Sequence, residues 1–346
     1  MIGEAVAPWY LAWRVPYNNM IGFLMHPYIK RSSALAMTAG LALVGAAGVA
    51  QATEGGVSHW PNGIEQHGAG VLPPPGFYGQ IFAGDYRADT IRDDNGKRAM
   101  DVDLRVNAIA PRFVWVTEQT VFGGQLGFHA LLPLQDMRIN IDGVGSDRKR
   151  GLGDIQFGPV LGYHLSDKLH IATGADVIAP TGSYDKKDLL NLGANYYTIQ
   201  ATFAVSYAQP EGINADLRLM HDYNFENKDT NYTSGRELHA DYTLGWGFGN
   251  GWTAGIGGHA YQQISDDKCG SNCKAINPGT GVEDPAYFEN MLKATHGNRG
   301  RSFSVGPTVQ YASAGGWFFS AKYQQEYGVE NRSEGDAFWL KFTTAL

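Results

Sequence analysis

Hydrophobic and polar residues alternate with a period of two through most of the chain beyond about Pro75. In the segment 213–225, one set of alternate positions is mostly Ile, Ala, Leu, Tyr and Phe, and the other is mostly Asn, Asp and Arg. The segments 155–163, 237–248 and 303–311 repeat this pattern. Successive side chains of a β-strand point to opposite faces, whereas a helical pattern repeats every 3.6 residues. The pattern therefore predicts an all-β chain.

The alternation divides into twelve predicted strands, each followed by a turn signal. Their first residues lie near Phe77, Val102, Gln125, Gly153, Leu169, Thr198, Ile213, Glu237, Trp252, Ser302, Trp317 and Ala337. Short connections lie at 165–169, 208–213, 247–252 and 312–317, and long polar ones lie around 88–100, 141–150, 184–196, 226–235 and 267–300. An even number of strands joined by alternating short and long connections is typical of bacterial outer-membrane barrels.

The polar faces carry few lysines and many Gly, Ser, Thr, Gln and Asp residues, and aromatic residues collect near the segment ends. A soluble sandwich would give the same alternation, but a crowded polar lumen and aromatic girdles favour a membrane barrel. We therefore predict an antiparallel transmembrane β-barrel of about 12 strands over 76–346. It should have short periplasmic turns, long outer loops and both termini in the periplasm. The first strand is apolar on both faces, and the second breaks phase near Pro111, which predicts a bulge.

The segment before the barrel reads as an export leader over 1–52. Lys30 and Arg31 precede an apolar run that ends in Ala50-Gln51-Ala52, which predicts cleavage between Ala52 and Thr53. A transmembrane anchor is the alternative, which the small residues and glycines of the run disfavour. The segment before Lys30 is too long for an ordinary positive region, so we place the true start at Met25, with Met20 as the alternative. Residues 53–75 are rich in Gly and Pro, and two interpretations stay open for them: a plug in the lumen or a periplasmic segment.

Charged residues are scarce, at 18% of the chain, and the 27 Lys and Arg against 34 Asp and Glu give a net charge of −7. The basic residues are dispersed, which argues against a nucleic-acid partner because that requires a basic patch. Ionisable residues instead collect on the predicted lumen face. They are His129, Asp154, His170, Asp176, Asp216, Arg218, Asp222, Glu237, His239, Asp241, His259, Lys322, Glu326 and Lys341. They form either a selectivity constriction or a salt-bridge network that fills a narrow barrel.

Cys269 and Cys273 lie in the longest predicted loop, and we expect them to form a disulfide in an exported protein. Two thiols without a second pair are a weak metal site. No glycine-rich stretch lies between a strand and a helix as a phosphate loop requires. We therefore predict neither a metal ion nor a cofactor.

Several sequence words resemble the bacterial family named for the meta-pathway of phenol degradation, which is also identified with outer-membrane transporters of the sphingosine-responsive type. These words are HWPNGIEQHGAGVLPPPGFY (59–78), FVWVT (113–117), GLGDIQFGP (151–159), PTGSYDKKDLLNLGANYYT (180–198), FGNGW (248–252) and YQQEYGVENRSEGDAFWLKF (323–342). The resemblance implies an outer-membrane barrel that passes hydrophobic or aromatic molecules, broadly like the long-chain fatty-acid channels. Leu346 departs from the aromatic last residue that is usual in such barrels. The final strand is nevertheless expected to serve as the recognition tail for barrel insertion.

The leading functional hypothesis is a monomeric outer-membrane channel for lipid-like or phenolic compounds, with outer-membrane lipid, a hydrophobic ligand and the barrel assembly machinery as partners. Strand breaks near Pro111, Pro159, Pro180 or Pro307 would offer a lateral exit. The second hypothesis is a sealed structural barrel that binds a lipid or a partner through its long loops. A lipolytic enzyme is the third and is disfavoured, because His221 is the one histidine in outward phase and no serine pairs with it. We expect no enzyme.

Overall fold

The computed structural model describes Glu54 and residues 58–346. The predicted leader over 1–52, its start at Met25 and its cleavage site at Ala52 and Thr53 lie outside the described residues. Within the described residues, no helix is long and apolar enough to cross a membrane.

Eighteen strands and one helix form in the described residues. The strands are β1 (Gly76–Arg92), β2 (Arg98–Val121), β3 (Gly124–Leu131), β4 (Leu134–Ile141), β5 (Gly145–Leu152), β6 (Ile155–His164), β7 (Leu169–Ala179), β8 (Thr198–Tyr207), β9 (Glu211–Asn224), β10 (Tyr232–Thr233), β11 (Glu237–Phe248), β12 (Trp252–Gln263), β13 (Lys268–Cys269), β14 (Ile276–Asn277), β15 (Val282–Glu283), β16 (Arg301–Ala312), β17 (Phe318–Glu330) and β18 (Ser333–Ala345). The helix is α1 (Pro285–Ala294).

Twelve of the strands close into one antiparallel barrel. In order around the wall they are β1, β2, β3, β6, β7, β8, β9, β11, β12, β16, β17 and β18, and β1 pairs with both β2 and β18. The predicted fold class is therefore confirmed. The last strand pairs along its length on both sides, so its backbone groups are not left at an open edge. We call the end with the long loops the outer end, since longer loops are extracellular in such barrels.

The two faces of the wall differ as the alternation predicted. Large apolar side chains on the outside are exposed, among them Phe113, Trp246 and Phe338. The alternate positions point inwards and are buried and mostly polar. The ambiguous first strand is resolved by its exposure: Phe77 and Ile81 face outwards, whereas Phe82 is fully buried in the lumen.

Two predicted loops are largely strand. The region 141–150 was expected to be a loop, but β4 and β5 form a hairpin that adds onto the outer half of β2. The region 88–100 was also expected to be a loop, but β1 reaches Arg92 and β2 begins at Arg98. Both segments are polar on alternate positions as well as between them, so hydrophobic contrast could not reveal them.

The bulge expected at Pro111 is not in β2, whose pairing with β1 continues through Ile81↔Pro111 without a shift. Against β3, β2 shifts register only further on, between Val116 and Thr120; beside Pro111 the irregularity lies in the neighbouring strand. There β3 ends at Leu131 and β4 begins at Leu134, so β2 changes partner beside Pro111. A proline has no N–H for the ladder, and the pairing on that side is interrupted instead.

The long loop 264–300 contains structure that the period-two analysis missed. Its helix α1 begins after Asp284, whose side chain accepts a hydrogen bond from the Tyr287 backbone N–H at 2.9 Å. Phe288 and Leu292 pack against Tyr232 and the Cys269–Cys273 disulfide. The helix is only ten residues long, which gives too few repeats for its period to stand out.

Candidate functional site

The N-terminal segment 58–72 lies inside the barrel. Trp60 and Ile64 are each only 1% exposed. The Asp241 carboxylate of β11 accepts backbone N–H bonds from Gly63 at 2.8 Å and from Glu65 at 3.0 Å, and the Trp60 indole N–H at 3.3 Å. Of the two interpretations left open by the sequence, the structure has the segment in the lumen, and we call residues 58–72 the plug.

Glu65 anchors the centre of the plug. Its side chain is 2% exposed and pairs with three cations from three strands: Arg112, Arg218 at 3.2 Å and Lys341 at 3.1 Å. The Lys322 ammonium donates to the Glu65 backbone carbonyl at 2.8 Å. Charge-assisted bonds of this kind, removed from water, are the stronger hydrogen bonds of proteins. The plug is thus held by charges that the wall supplies.

The C-terminal part of the plug is also hydrogen-bonded to the wall. The Gly68 N–H donates to the Asp216 carboxylate at 2.9 Å, and the Gly70 N–H donates to the Ser206 hydroxyl at 2.8 Å. At Gly70, an added Cβ would lie 2.8 Å from the Ser206 backbone nitrogen. The plug therefore passes so close to β8 that a side chain would not fit there.

The predicted lumen residues point inwards, and most are bonded to one another or to the plug. All thirteen that we retained as site candidates are buried except His129, which is half-buried, and they are His129, Asp154, Asp176, Asp216, Arg218, Asp222, Glu237, His239, Asp241, His259, Lys322, Glu326 and Lys341. His170 lies apart from them, beside His164 at the short-turn end. Arg112 and Glu65 were not among the predicted site residues. Arg112 follows the phase break at Pro111, and Glu65 lies in a segment without alternation.

Above the plug, β2 and β4 turn apolar side chains inwards and polar side chains outwards, the reverse of the wall below. On the outer half of β2, Leu104 and Val106 face inwards while Asp103 and Arg105 are on the outside. On β4, Met137, Ile139 and Ile141 are buried, whereas Arg138 and Asn140 are exposed. Apolar side chains that face away from lipid must bury against one another or against an apolar ligand. The side of the outer lumen that β2 and β4 form is therefore apolar.

These side chains enclose a cavity of about 410 Å³, which we call the chamber. Trp60 and Ile64 of the plug form its floor, and Phe288 and Met291 of α1 contribute to its roof. Its remaining apolar lining includes Phe82, Leu104, Val106, Ala108, Leu131, Met137, Ile139, Ile141, Ile178, Leu190, Leu192 and Trp339. Ligand pockets are typically about 300–1,000 Å³ and mostly apolar with a few polar groups. The chamber has that size and is mainly apolar, and charged residues such as Asp154, Glu326 and Arg332 also line it.

Beside the chamber, three neighbouring strands of the wall are interrupted at one level. The breaks lie at 132–133 between β3 and β4, at 153–154 between β5 and β6, and after Ala179 at the end of β7. A few contacts span this level: the Gly153 N–H donates to the Pro133 carbonyl at 2.8 Å, and the Asp154 carboxylate accepts from the Gly182 and Ala194 N–H groups. We call this level the seam.

The seam lies where the outer surface of the barrel changes character. Phe128 and Phe157 on one side of it are exposed apolar residues, and Asp136 on the other side pairs with Arg148 and Arg150. Hydrogen bonds from these two guanidinium groups hold the pKa of Asp136 well below its usual value. The apolar band of the barrel therefore ends at the level of the seam.

The loops over the chamber contact the half-buried carboxyl group of Glu54, which precedes the plug in the chain. Glu54 accepts hydrogen bonds from Asn227 at 2.8 Å and from the Tyr184 hydroxyl at 3.3 Å. Burial raises the pKa of Glu54 to about 7, although these hydrogen bonds lower it. Protonation of Glu54 is therefore linked to how these loops pack.

The outward histidine that a lipolytic site would need has no serine beside it. His221 on β9 pairs with Ala201 of β8 and Leu238 of β11. A hydrolytic triad requires a hydroxyl nucleophile within hydrogen-bond reach of the imidazole, and neither neighbour supplies one.

Comparisons with known proteins agree with the barrel. A family model described as "Putative MetA-pathway of phenol degradation" matches residues 88–342. None of the curated proteins matches the chain. The chain is similar to the crystal structure of the COG4313 outer membrane channel from Pseudomonas putida F1, with a TM-score of 0.63 and 17% identity over 82% of this chain and 100% of that one.

Two further solved structures are more distant. A FadL homologue from Pseudomonas aeruginosa has a TM-score of 0.38 and 10% identity over 87% of this chain and 98% of that one. The CymD monoaromatic hydrocarbon channel has a TM-score of 0.37 and 11% identity over 79% and 89% of the two chains. At these scores the two structures carry no argument about function, and the similarity to the COG4313 channel shows the fold.

Proposed function

The chain belongs to the family of the MetA-pathway of phenol degradation, whose model matches most of its length, and we propose that it is an outer-membrane channel for hydrophobic small molecules. The main support for this proposal is the inverted polarity of the outer lumen along β2 and β4. A water-filled pore for polar solutes would keep polar side chains along its whole length. Here the outer lumen offers apolar side chains on β2, β4 and the loop 180–197, with a cavity of about 410 Å³ between them.

The route that fits this geometry leads sideways. A compound that reaches the chamber from outside meets the plug, whose centre is bonded to four cations of the wall. The route through the seam is shorter, because four residues line the chamber and also flank the strand breaks. They are Leu131, Pro133, Asp154 and Ile178. On the outside, the seam meets the start of the apolar band. An apolar compound that passes through it would enter the outer leaflet without crossing the charged region above.

A pair of aspartate substitutions tests the chamber. Ile139 is buried and points into the chamber, whereas the next residue, Asn140, is exposed on the opposite face of β4. Ile139→Asp should lower uptake of a radiolabelled alkylphenol or medium-chain fatty acid about tenfold or more, because a buried unpaired carboxylate is costly and attracts water. Asn140→Asp should leave uptake at the wild-type level. Equal uptake by both variants would contradict a role for the chamber.

The cellular setting is part of the proposal. We place the barrel in the bacterial outer membrane as a monomer, exported by its leader and inserted by the barrel assembly machinery, with membrane lipid around its apolar band. The proposal includes no enzymatic activity. Aromatic and lipid-like compounds both fit an apolar chamber, and competition between labelled phenol derivatives and fatty acids in the uptake assay would rank them.

A sealed barrel that binds a partner is the second candidate, and the bonded plug favours it. Planar-bilayer conductance alone does not separate the two, since a lateral route for apolar compounds carries no ions. Uptake separates them: a sealed barrel transports neither class of compound, with or without the Ile139→Asp substitution.

A further inference from the structure

Three donor side chains meet in the lumen near the outer ends of β9 and β11. Asp222 and Glu237 face each other across the two strands. His239 follows Glu237 by two residues and therefore points into the same space. The side chains of all three are at most 1% exposed, and one ligand atom from each lies within 4.8 Å of the others.

The hydrogen bonds around the cluster leave two of its three central atoms without a partner among the described residues. The Gln200 amide donates to Asp222 Oδ1 at 2.8 Å, and the Tyr261 hydroxyl donates to Glu237 Oε1 at 2.6 Å. The other oxygen of Asp222, Oδ2, and the Nε2 atom of His239 are buried without a hydrogen-bond partner among the described residues. Buried polar atoms rarely stay unpaired, and these two lie 3.4 Å apart across the same space.

The second nitrogen of His239 sets the tautomer. Nδ1 lies 2.7 Å from Asn62 Oδ1 of the plug. An amide oxygen is an acceptor, so Nδ1 carries the hydrogen and donates it. In the neutral imidazole, Nε2 then presents a lone pair towards two carboxylates. Metal-bound histidines commonly donate one ring N–H to a protein oxygen while the other nitrogen faces the metal and its carboxylate ligands.

The distances from His239 Nε2 to the two carboxylates distinguish a bound metal cation from a proton. Nε2 lies 3.4 Å from Asp222 Oδ2 and 3.7 Å from Glu237 Oε2. A protonated imidazole would draw one carboxylate to about 2.7–2.9 Å. Ligands about 2.1 Å from a tetrahedral zinc ion are roughly 3.4 Å apart along each edge, given the bond lengths of such sites. The observed separations are close to that edge.

We propose that Asp222, Glu237 and His239 bind a divalent transition-metal cation of the Zn²⁺ class. One imidazole nitrogen and two carboxylate oxygens suit such ions. Three protein ligands leave a fourth position on a tetrahedral ion. The hydroxyl of Ser58, in the plug, lies near it and donates to Glu237 Oε2 at 3.3 Å. The cation would thereby fasten the outer part of the plug, through Ser58 and Asn62, to the wall. This role is independent of what the chamber transports, and it goes beyond the sequence-based expectation of no metal.

The test is metal stoichiometry with an isosteric variant. Tag-free barrel is stripped with EDTA, incubated with Zn²⁺, separated from free metal by gel filtration and measured by inductively coupled plasma mass spectrometry. Wild type should hold one equivalent. Asp222→Asn keeps an acceptor for Gln200 but removes the charge, and it should bind Zn²⁺ at least ~100-fold more weakly, since even second-shell losses cost about 10–100-fold. Wild type that retains no more Zn²⁺ than Asp222→Asn would overturn the proposal.

A matched control and a second readout exclude trivial outcomes. His129→Gln alters a lumen histidine that contacts one carboxylate, Asp176, at 3.0 Å, and it should bind Zn²⁺ like wild type. Folding of every variant is checked by heat-modifiable migration, and Glu237→Gln replaces Asp222→Asn if the latter does not fold. Added Zn²⁺ should slow amide exchange at residues 58–62 in wild type and His129→Gln but not in the ligand variant. Zn²⁺ that leaves this exchange unchanged in wild type would contradict the link to the plug.

Discussion

The substitution Glu65→Gln tests whether charge holds the plug in the lumen. Glu65 is 2% exposed and pairs with Arg112, Arg218 and Lys341. Glutamine keeps the shape and one acceptor oxygen but leaves these buried cations without their anion. Removing one partner of a buried ion pair costs about 3–5 kcal/mol. At about 1.36 kcal/mol per factor of ten, the released plug should become roughly 100- to 5,000-fold more populated.

The assay is hydrogen exchange of the peptides that cover 58–72, read by mass spectrometry on the barrel in detergent micelles or nanodiscs. Exchange through local release follows the population of the released state, so the protected amides of Gly63 and Glu65 should exchange faster by that factor. Single-channel recording should show ion-conducting openings more often in the variant than in wild type. The strands of the wall should keep their protection.

The neighbouring residue provides the control. Gln66 is 1% exposed, and neither atom of its amide has a hydrogen-bond partner among the described residues. Gln66→Leu removes a buried unpaired amide and should leave exchange of the plug unchanged or slower. Equal exchange in Glu65→Gln and wild type, or acceleration in Gln66→Leu as large as in Glu65→Gln, would refute the electrostatic account.

Two further predictions concern pH and packing. The pKa of Glu54 is raised to about 7 in the folded state, so its protonated form is favoured there, and its contribution to stability is lost as pH rises from about 4.5 through about 7. Melting temperatures of wild type and Glu54→Gln should therefore agree at pH 5, and wild type should melt lower at pH 8; parallel curves would refute the linkage. Gly258→Ala would set a Cβ 1.9 Å from the Ser304 carbonyl oxygen, whereas a Cβ at Gly270 has its nearest contact at 3.5 Å. The first change should destabilise the barrel by about 1–3 kcal/mol, as overpacking does, and Gly270→Ala should be neutral in the same urea titration; equal stability of the two variants would count against this close approach.

The barrel could be predicted from sequence because the membrane imposes contrast on each strand that crosses it. On β11, the exposed Leu238 and Leu244 alternate with buried polar residues, among them Glu237, His239 and Thr243, and that contrast is visible without a structure. The hairpin β4–β5 stands above this region, and on β5 charged residues such as Arg148 and Lys149 follow one another on opposite faces. With no apolar face to mark it, this strand was interpreted as a loop.

The chamber and the plug were harder to predict for different reasons. The chamber had a signal, since Leu104 and Val106 alternate with Asp103 and Arg105, but the alternation does not tell which face points inwards once a strand leaves the membrane. The plug had none. Glu65 meets Arg112, Arg218 and Lys341 from 47, 153 and 276 residues away, and contacts across such separations depend on closure of the barrel.

The central claim, that the chamber carries hydrophobic compounds, is tested most directly by uptake into cells that lack the native gene and carry wild type, Ile139→Asp or Asn140→Asp at equal surface levels. Accumulation of a radiolabelled alkylphenol or medium-chain fatty acid should be restored by wild type and Asn140→Asp and fall about tenfold or more with Ile139→Asp. Restoration by all three proteins, or by none, would contradict the account.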